Sequence, residues 1–127
     1  TESEDQTITT MEIAEMMNVA HWQVLRKLDG RESKGKHIKG YVDILNDNQM
    51  VVVDFFIKSS YTDAKGEERS CYKVTKMGCE FLANKFTGEK GVLFTAKYIK
   101  RFHEMEDMLE AGAKPVLEDF ESKTYTP

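Results

Sequence analysis

Residues Ile13–Leu28 read IAEMMNVAHWQVLRKL, and the spacing of their apolar side chains decides the fold. Ile13, Met17, Val19 and Val24 fall where two short helices clamp on each other, and Ala14 is small where they cross. Asn18 stands at the turn, where a left-handed backbone is needed and Asn, like Gly, tolerates it. Lys27 occupies a position where a further apolar clamp is common, and Leu28, one residue on, takes its place. This is the pattern of a helix-turn-helix. Its second helix directs His21, Trp22, Gln23, Arg26 and Lys27 outward, positions that face base edges and phosphates when such a motif sits in a major groove. Trp22 on this helix is either a groove-facing side chain or a core anchor.

Charge follows the same segment. The chain carries a formal net charge of −4, yet the window His21–Gly40 is +4 and the remainder −8. Arg26, Lys27, Arg31, Lys34, Lys36 and Lys39 supply the positive window, while acid gathers in Glu2–Asp5 and Glu104–Glu121. A basic patch on an acidic body is compatible with DNA held by one face. Arg31–Gly40 reads as a basic, mobile loop, either a phosphate-contact segment or simply solvated.

The local signals then run in order. Residues 1–6 are acidic and polar and predict a disordered start. Thr9 and Glu12 have capping-box spacing, which predicts a first helix from Thr9 to about Met17. The second helix is predicted from about Ala20 to Gly30, a natural stop. Tyr41–Leu45 is ambiguous, with apolar spacing that suits a short helical turn, and Asn46–Asn48 signals a turn. A strong hairpin follows. Its first strand places Val51, Val53, Phe55 and Ile57 on one face, with Asp54 and Lys58 on the other. Asp63–Gly66 is the turn, and Ser70–Thr75 returns with Tyr72 and Val74 inward. Thr75 caps a third helix, Lys76 to about Phe86, that buries Phe81, Leu82 and Phe86. Thr87-Gly88 breaks it, and a long helix is predicted from about Glu89 to Ala111, ended by Gly112 and Pro115. Residues 7–111 thus form one domain of α+β class, winged helix-turn-helix-like, with a β-hairpin and a long C-terminal helix. Residues 112–127 read as a flexible tail.

On the long helix, Tyr98, Phe102, Met105 and Leu109 recur as one apolar stripe, and Val92, Ala96 and Ile99 as a second. Two apolar lines offer more surface than one small domain covers. The expectation is a homodimer joined through Tyr98, Phe102, Met105 and Leu109, with the second line packed on the domain itself; the alternative is that the first stripe folds onto its own chain. A dimer would present two recognition helices about 34 Å apart to a palindromic site.

Several functions are excluded or disfavoured. No apolar run approaches the roughly 18–20 residues of a membrane span, and no signal-peptide pattern is evident. His21, His37, His103, Cys71 and Cys79 lack metal-ligand spacing, so no metal or other cofactor is expected. The cysteines are expected to be reduced. Gly88–Gly91 lacks the spacing of a phosphate loop, and no nucleophile motif occurs; an enzyme is not expected.

The order of helix-turn-helix, hairpin and paired helices resembles winged-helix regulators. The stretch Phe56–Gly78, FIKSSYTDAKGEERSCYKVTKMG, is more specific. With its Ser-Tyr strand, Gly-containing turn, Tyr-bearing strand and Thr-Lys-x-Gly helix start, it resembles the phage regulatory protein Rha family. Glu80–Phe86, TGEK at Thr87–Lys90 and FTAKYIKRFHEME at Phe94–Glu106 extend the resemblance. Ala14-Glu15-Met16, His21 and Val24-Leu25-Arg26 fit at the front, so it covers about Thr7–Glu110. Gly30–Met50 departs from the pattern and reads as an insertion, and Ser70 stands where the family has Pro.

The resemblance implies a phage or prophage transcriptional regulator in the cytoplasm of a bacterial host, and supplies no contact residue. Two functions stay open. One is a DNA-binding regulator in which Arg26 and Lys27 meet phosphate or guanine, Gln23 reads a base edge, and Arg31, Lys34, Lys36 and Lys39 add phosphate contacts. Lys65 and Arg69 would join them if the hairpin tip acts as a wing rather than only completing the core. The other is a protein-interaction module, an antirepressor acting on a host or phage regulatory protein, without direct DNA binding.

Overall fold

The computed structural model describes residues 6–113 and is an α+β fold of five helices and two small antiparallel sheets. Strand β1 (Thr7–Thr9) leads into α1 (Thr10–Met17), then α2 (His21–Asp29). A short hairpin of β2 (Arg31–Ser33) and β3 (Lys36–Ile38) precedes α3 (Tyr41–Asp47). After a 3-10 turn at Val52–Asp54 come β4 (Phe56–Thr62), β5 (Glu68–Thr75), α4 (Lys76–Lys85) and α5 (Gly88–Ala113).

Local chemistry explains most boundaries. The Thr9 hydroxyl accepts from the Glu12 N–H at 3.1 Å, and Glu12 Oε1 accepts from the Thr9 N–H at 3.0 Å, which closes the expected capping box. Asn18 ends α1 at φ 57°. Thr75 caps α4 by accepting from the Gly78 N–H at 3.0 Å. Gly30 ends α2 at φ 82°.

The main sheet has the order β1-β5-β4. Its middle strand aligns Val74 with Ile8 on one side and Phe56 on the other, and all three are fully buried. Ile13, Val24, Leu28, Leu82, Phe94 and Phe102 join them in one core. The Thr10 side chain, itself fully buried, accepts from the Tyr72 N–H at 3.2 Å and shares a 2.8 Å hydrogen bond with Nε2 of His21. One hydroxyl thereby joins the first turn of α1 to β5 and to the start of α2. Cys71 and Cys79 are buried and free.

Several expectations are corrected. Strand β1 has no signature in the sequence; three residues are too few for a period-2 signal, and pairing with β5 makes them a strand. Val51 and Val53 are not strand residues but solvent-exposed ones around the 3-10 turn. The reason is lack of a partner: β5 turns into α4 at Thr75, whose N–H and hydroxyl bond the carbonyls of Phe55 and Asp54. The strand therefore starts at Phe56, and Phe56 rather than Phe55 or Ile57 fills the core, a one-residue shift that reverses the faces. The basic segment is not an irregular loop. It is the β2–β3 hairpin, turned by Lys34 and Gly35 at φ 52° and 77°, the positive pair that a two-residue hairpin turn requires.

On α5 the two apolar lines exchange places. Tyr98 and Phe102 are buried in the chain's own core with Phe94, Met105 is half-buried and Leu109 exposed. Val92, Ala96 and Ile99 face outward instead. Large aromatic side chains gain most from burial, so they take the core side. Gly112 does not end this helix, which continues to Ala113. Pro115, the acidic residues 1–5 and residues 114–127 of the expected tail lie outside the described residues.

Close packing fixes α4 on the sheet. A Cβ on Gly78 would stand 2.2 Å from the Phe55 carbonyl oxygen, so only glycine lets the helix approach this strand start. The β2–β3 hairpin is held to α3 by His37, whose Nδ1 and Nε2 each bond a carboxylate at 2.7 Å, Glu32 and Asp43 respectively. A neutral imidazole donates from only one nitrogen, so the bonds to Asp43 and then Glu32 raise the His37 pKa above its ordinary value. Burial lowers that of His21.

Two outcomes are expected. Thr10→Val keeps the side-chain shape but strands the buried Tyr72 N–H, and should cost about 1–3 kcal/mol in chemical denaturation. His37 and His21 should show pKa values shifted in opposite directions by NMR. The His37 contact stabilises the fold below the ordinary histidine range and is lost as pH rises through its raised folded value. His21 works in reverse, its contribution present above that range and lost as pH falls through its lowered one. Asp43→Asn should return His37 toward its ordinary value.

Candidate nucleic-acid interface

Helix α2 buries Val24 and Leu28 and leaves Trp22, Gln23, Arg26 and Lys27 exposed, the outcome of apolar residues four apart on one face. Trp22 is 58% exposed, which settles it as a surface side chain and not a core anchor. The Arg26 guanidinium lies over its ring, 5.5 Å from the centroid, one helical turn away. Such stacking holds an arginine extended and ordered. Lys27 Nζ is 5.8 Å from the centroid of the Phe86 ring. Gln23 is turned back, its Oε1 accepting from the Ala20 N–H at 3.0 Å, so it also caps its own helix.

Gly30 lets the following hairpin fold back against α2. A Cβ there would meet the Ile38 carbonyl oxygen at 2.2 Å and the Gly40 nitrogen at 2.6 Å, and its φ of 82° is one that other residues rarely adopt. The result is an open groove of about 370 Å³ between α2 and the hairpin, lined by Arg26, Lys27, Arg31 and Lys39 together with Trp22, Gln23, Gly30, Ile38 and Tyr41. No carboxylate lines it. The acids nearby have other partners: Asp29 accepts from the Tyr72 hydroxyl, Glu32 and Asp43 hold His37, and Asp47 holds Lys39. The Lys39–Asp47 pair raises the lysine's pKa and offsets its charge locally.

The other expected residues stand elsewhere. His21 faces the scaffold, bonded to Thr10 and edge-on to the Tyr61 ring at 5.7 Å. Lys34 is in the β2–β3 turn and Lys36 on β3, both exposed and outside the groove lining. Lys65 and Arg69 belong to the β4–β5 tip. There Arg69 bonds Asp63 at 2.9 Å and Glu67 at 3.0 Å, which holds the Asp63 carboxyl below its usual range and neutralises the arginine locally. Sequence reasoning misses Ile38 and Tyr41 as lining residues. Tyr41 begins a helix whose local pattern is ambiguous, and Ile38 is one apolar residue in a basic run; only the fold-back at Gly30 brings both beside α2. Among the described residues no group of histidine, cysteine and acidic side chains is arranged to hold a metal, and no helix is long and apolar enough to cross a membrane.

No solved structure gives a significant match to the chain. Among curated proteins, one from Bacillus subtilis (strain 168) named "SPbeta prophage-derived putative antirepressor protein YoqD" is 41% identical over 104 residues. Those residues are 82% of this chain but 38% of the relative, so the chain spans well under half of that protein's length. The family model for phage regulatory protein Rha matches residues 8–107, from β1 to the second half of α5. By that match and that identity, the chain belongs to the phage regulatory protein Rha family.

Proposed function

We propose that this member of a phage regulatory family is a non-catalytic DNA-binding regulator of the bacterial cytoplasm, with α1 and α2 as a helix-turn-helix and α2 as its recognition helix. The observation that carries the reading is the open groove that collects Arg26, Lys27 and Arg31 with no carboxylate in its lining, in a chain of net charge −4. Arg26, ordered on Trp22, contacts a guanine edge or a phosphate. Lys27 and Arg31 contact phosphates, with Lys34 and Lys36 adding charge from the hairpin and Lys39, already paired with Asp47, contributing less. The β2–β3 hairpin, directly after the recognition helix, takes the role of the wing. The β4–β5 tip suits that role less, because Arg69 is already neutralised by Asp63 and Glu67.

A second reading has its own support in the printed name of the B. subtilis relative: an antirepressor that captures another regulator and leaves DNA alone. Pull-down of bound DNA, with proteins identified from the same sample, separates the two. Enriched DNA supports the first reading; a co-purified repressor without DNA supports the second.

Three measurements follow on recovered DNA. The single tryptophan, Trp22, should change its fluorescence on binding. Arg26→Ala should weaken specific binding by roughly 1–3 kcal/mol, and unchanged affinity in Arg26→Ala/Lys27→Ala with the fold intact would sink the assignment. Neutralising Arg31, Lys34, Lys36 and Lys39 should flatten the dependence of log K on log salt by up to about 0.9 for each phosphate that the protein no longer neutralises. An identical slope means that the hairpin is only solvated.

A further inference from the structure

A second groove borders α2. It encloses about 230 Å³ between α2, the α1–α2 turn and the connection from α4 to α5. The exposed side chains of Gln23, Lys27, Thr87 and Lys90 line it over the buried Val24 and Phe86. Gln23 and Lys27 line the first groove as well, so the two adjoin along α2. No carboxylate is in this lining either; Glu15, Asp29 and Glu89, the acids nearest in sequence, are outside it.

Lys90 comes to this groove from another helix. Its ammonium donates to the carbonyls of Met17 and Asn18 at 3.3 and 3.1 Å. An ammonium has three N–H donors, so one is left over. Both partners are uncharged, so no opposing unit charge cancels that of the lysine. Lys27 lies against the Phe86 ring, also an uncharged partner. Among the described residues the lysines held in ion pairs are Lys39 and Lys76, not these two. Two unneutralised cations thus share one short groove, and one of them is fixed to the end of α1 by two hydrogen bonds.

The dimensions of a duplex indicate what meets them. The major groove is about 12 Å wide, and a helix with its side chains is about 10–12 Å across. A helix seated there has sugar-phosphate walls at its flanks. Groups that stand beside α2, rather than on it, meet backbone and not base edges.

Resting on the DNA-binding reading of α2, we propose that Lys90 and Lys27 together hold a backbone phosphate of the bound duplex, with the Thr87 hydroxyl as a further donor. The start of α5 is then part of the DNA-binding surface. The ammonium that closes α1 also ties the duplex to the helix-turn-helix, and its two carbonyl bonds hold it in place before DNA arrives.

A salt titration of DNA binding tests this, with the full 127-residue chain and the DNA recovered by pull-down. Lys90→Met keeps the stem and removes the charge; the slope of log K on log salt should flatten by up to about 0.9. Lys90→Arg keeps charge and donors and should keep the wild-type slope. Neutral methylphosphonates placed one at a time in the duplex give the reading that a purely structural lysine would not move. At one position the wild type should lose affinity and Lys90→Met should lose no more. Lys90→Met also frees the end of α1, so Thr87, exposed in the lining, carries the test if that variant unfolds. Thr87→Lys should steepen the slope by up to about 0.9, and Thr87→Glu should weaken binding more at low salt than at high. A wild type that binds DNA with a slope indifferent to Lys90→Met and Thr87→Lys overturns this site and leaves the reading of α2 standing. A wild type that binds no DNA overturns both.

Discussion

The buried hydroxyl of Thr10 is the contact on which the rest of the architecture depends. Strand β1 ends at Thr9, so β5 loses its partner on that edge one residue later, at Tyr72. A bare Tyr72 N–H in that interior would be costly. The Thr10 side chain supplies the missing acceptor from the first turn of α1 and reaches His21 at the first turn of α2 with the same oxygen. Sheet, scaffold helix and recognition-helix candidate are thereby set against one another by a single polar atom in an apolar core. The Tyr72 hydroxyl repeats the linkage at the other end of α2 by donating to Asp29. Helix α2 is thus pinned to β5 at both ends, and its exposed face has a fixed direction.

That rigidity is what gives the basic groove its character. A run of lysines on an unanchored loop is a diffuse charge. Here Gly30 folds the run against α2, and His37 and Lys39 tie it to α3 through Asp43 and Asp47. The same ties give the local acids cationic partners. The groove therefore collects Arg26, Lys27 and Arg31 with no carboxylate in its lining, and Lys39 paired to Asp47 at its edge, although the chain as a whole is acidic. Distribution, not net charge, governs what such a surface attracts.

Helix α5 closes the other side of the core. Phe86, Phe94, Tyr98 and Phe102 form a ladder with centroids 5.2–6.3 Å apart, each ring tilted or edge-on to the next. Lys90, in the first turn of α5, donates to the carbonyls of Met17 and Asn18 at 3.3 and 3.1 Å and so satisfies the exposed end of α1. Arg101 meets Glu12 at 3.5 Å further along. These contacts hold α5 against α1 with its aromatic side inward, and leave the aliphatic side, Val92, Ala96 and Ile99, in water.

What the sequence determined by itself is local. The Thr9–Glu12 capping box, the left-handed Asn18, the stop at Gly30, the Asp63–Gly66 turn and the Thr75 cap each depend on a few neighbouring atoms, and each is legible in the residues alone. So is the outward direction of Trp22, Gln23, Arg26 and Lys27 on α2, because residues four apart on a short helix share a face whatever surrounds them, whereas His21 turns inward to Thr10. The tertiary structure decided what needs a distant partner. Thr7–Thr9 is a strand only because β5 lies beside it, and Val51–Val53 is not one because β5 has already become a helix. Tyr41 and Ile38 join the groove only through the glycine fold-back. On α5, periodicity reveals two apolar lines but not which one is covered. Spacing along a helix records that a face is apolar; only the shape and chemistry of what packs on it determine whether that face is core or surface.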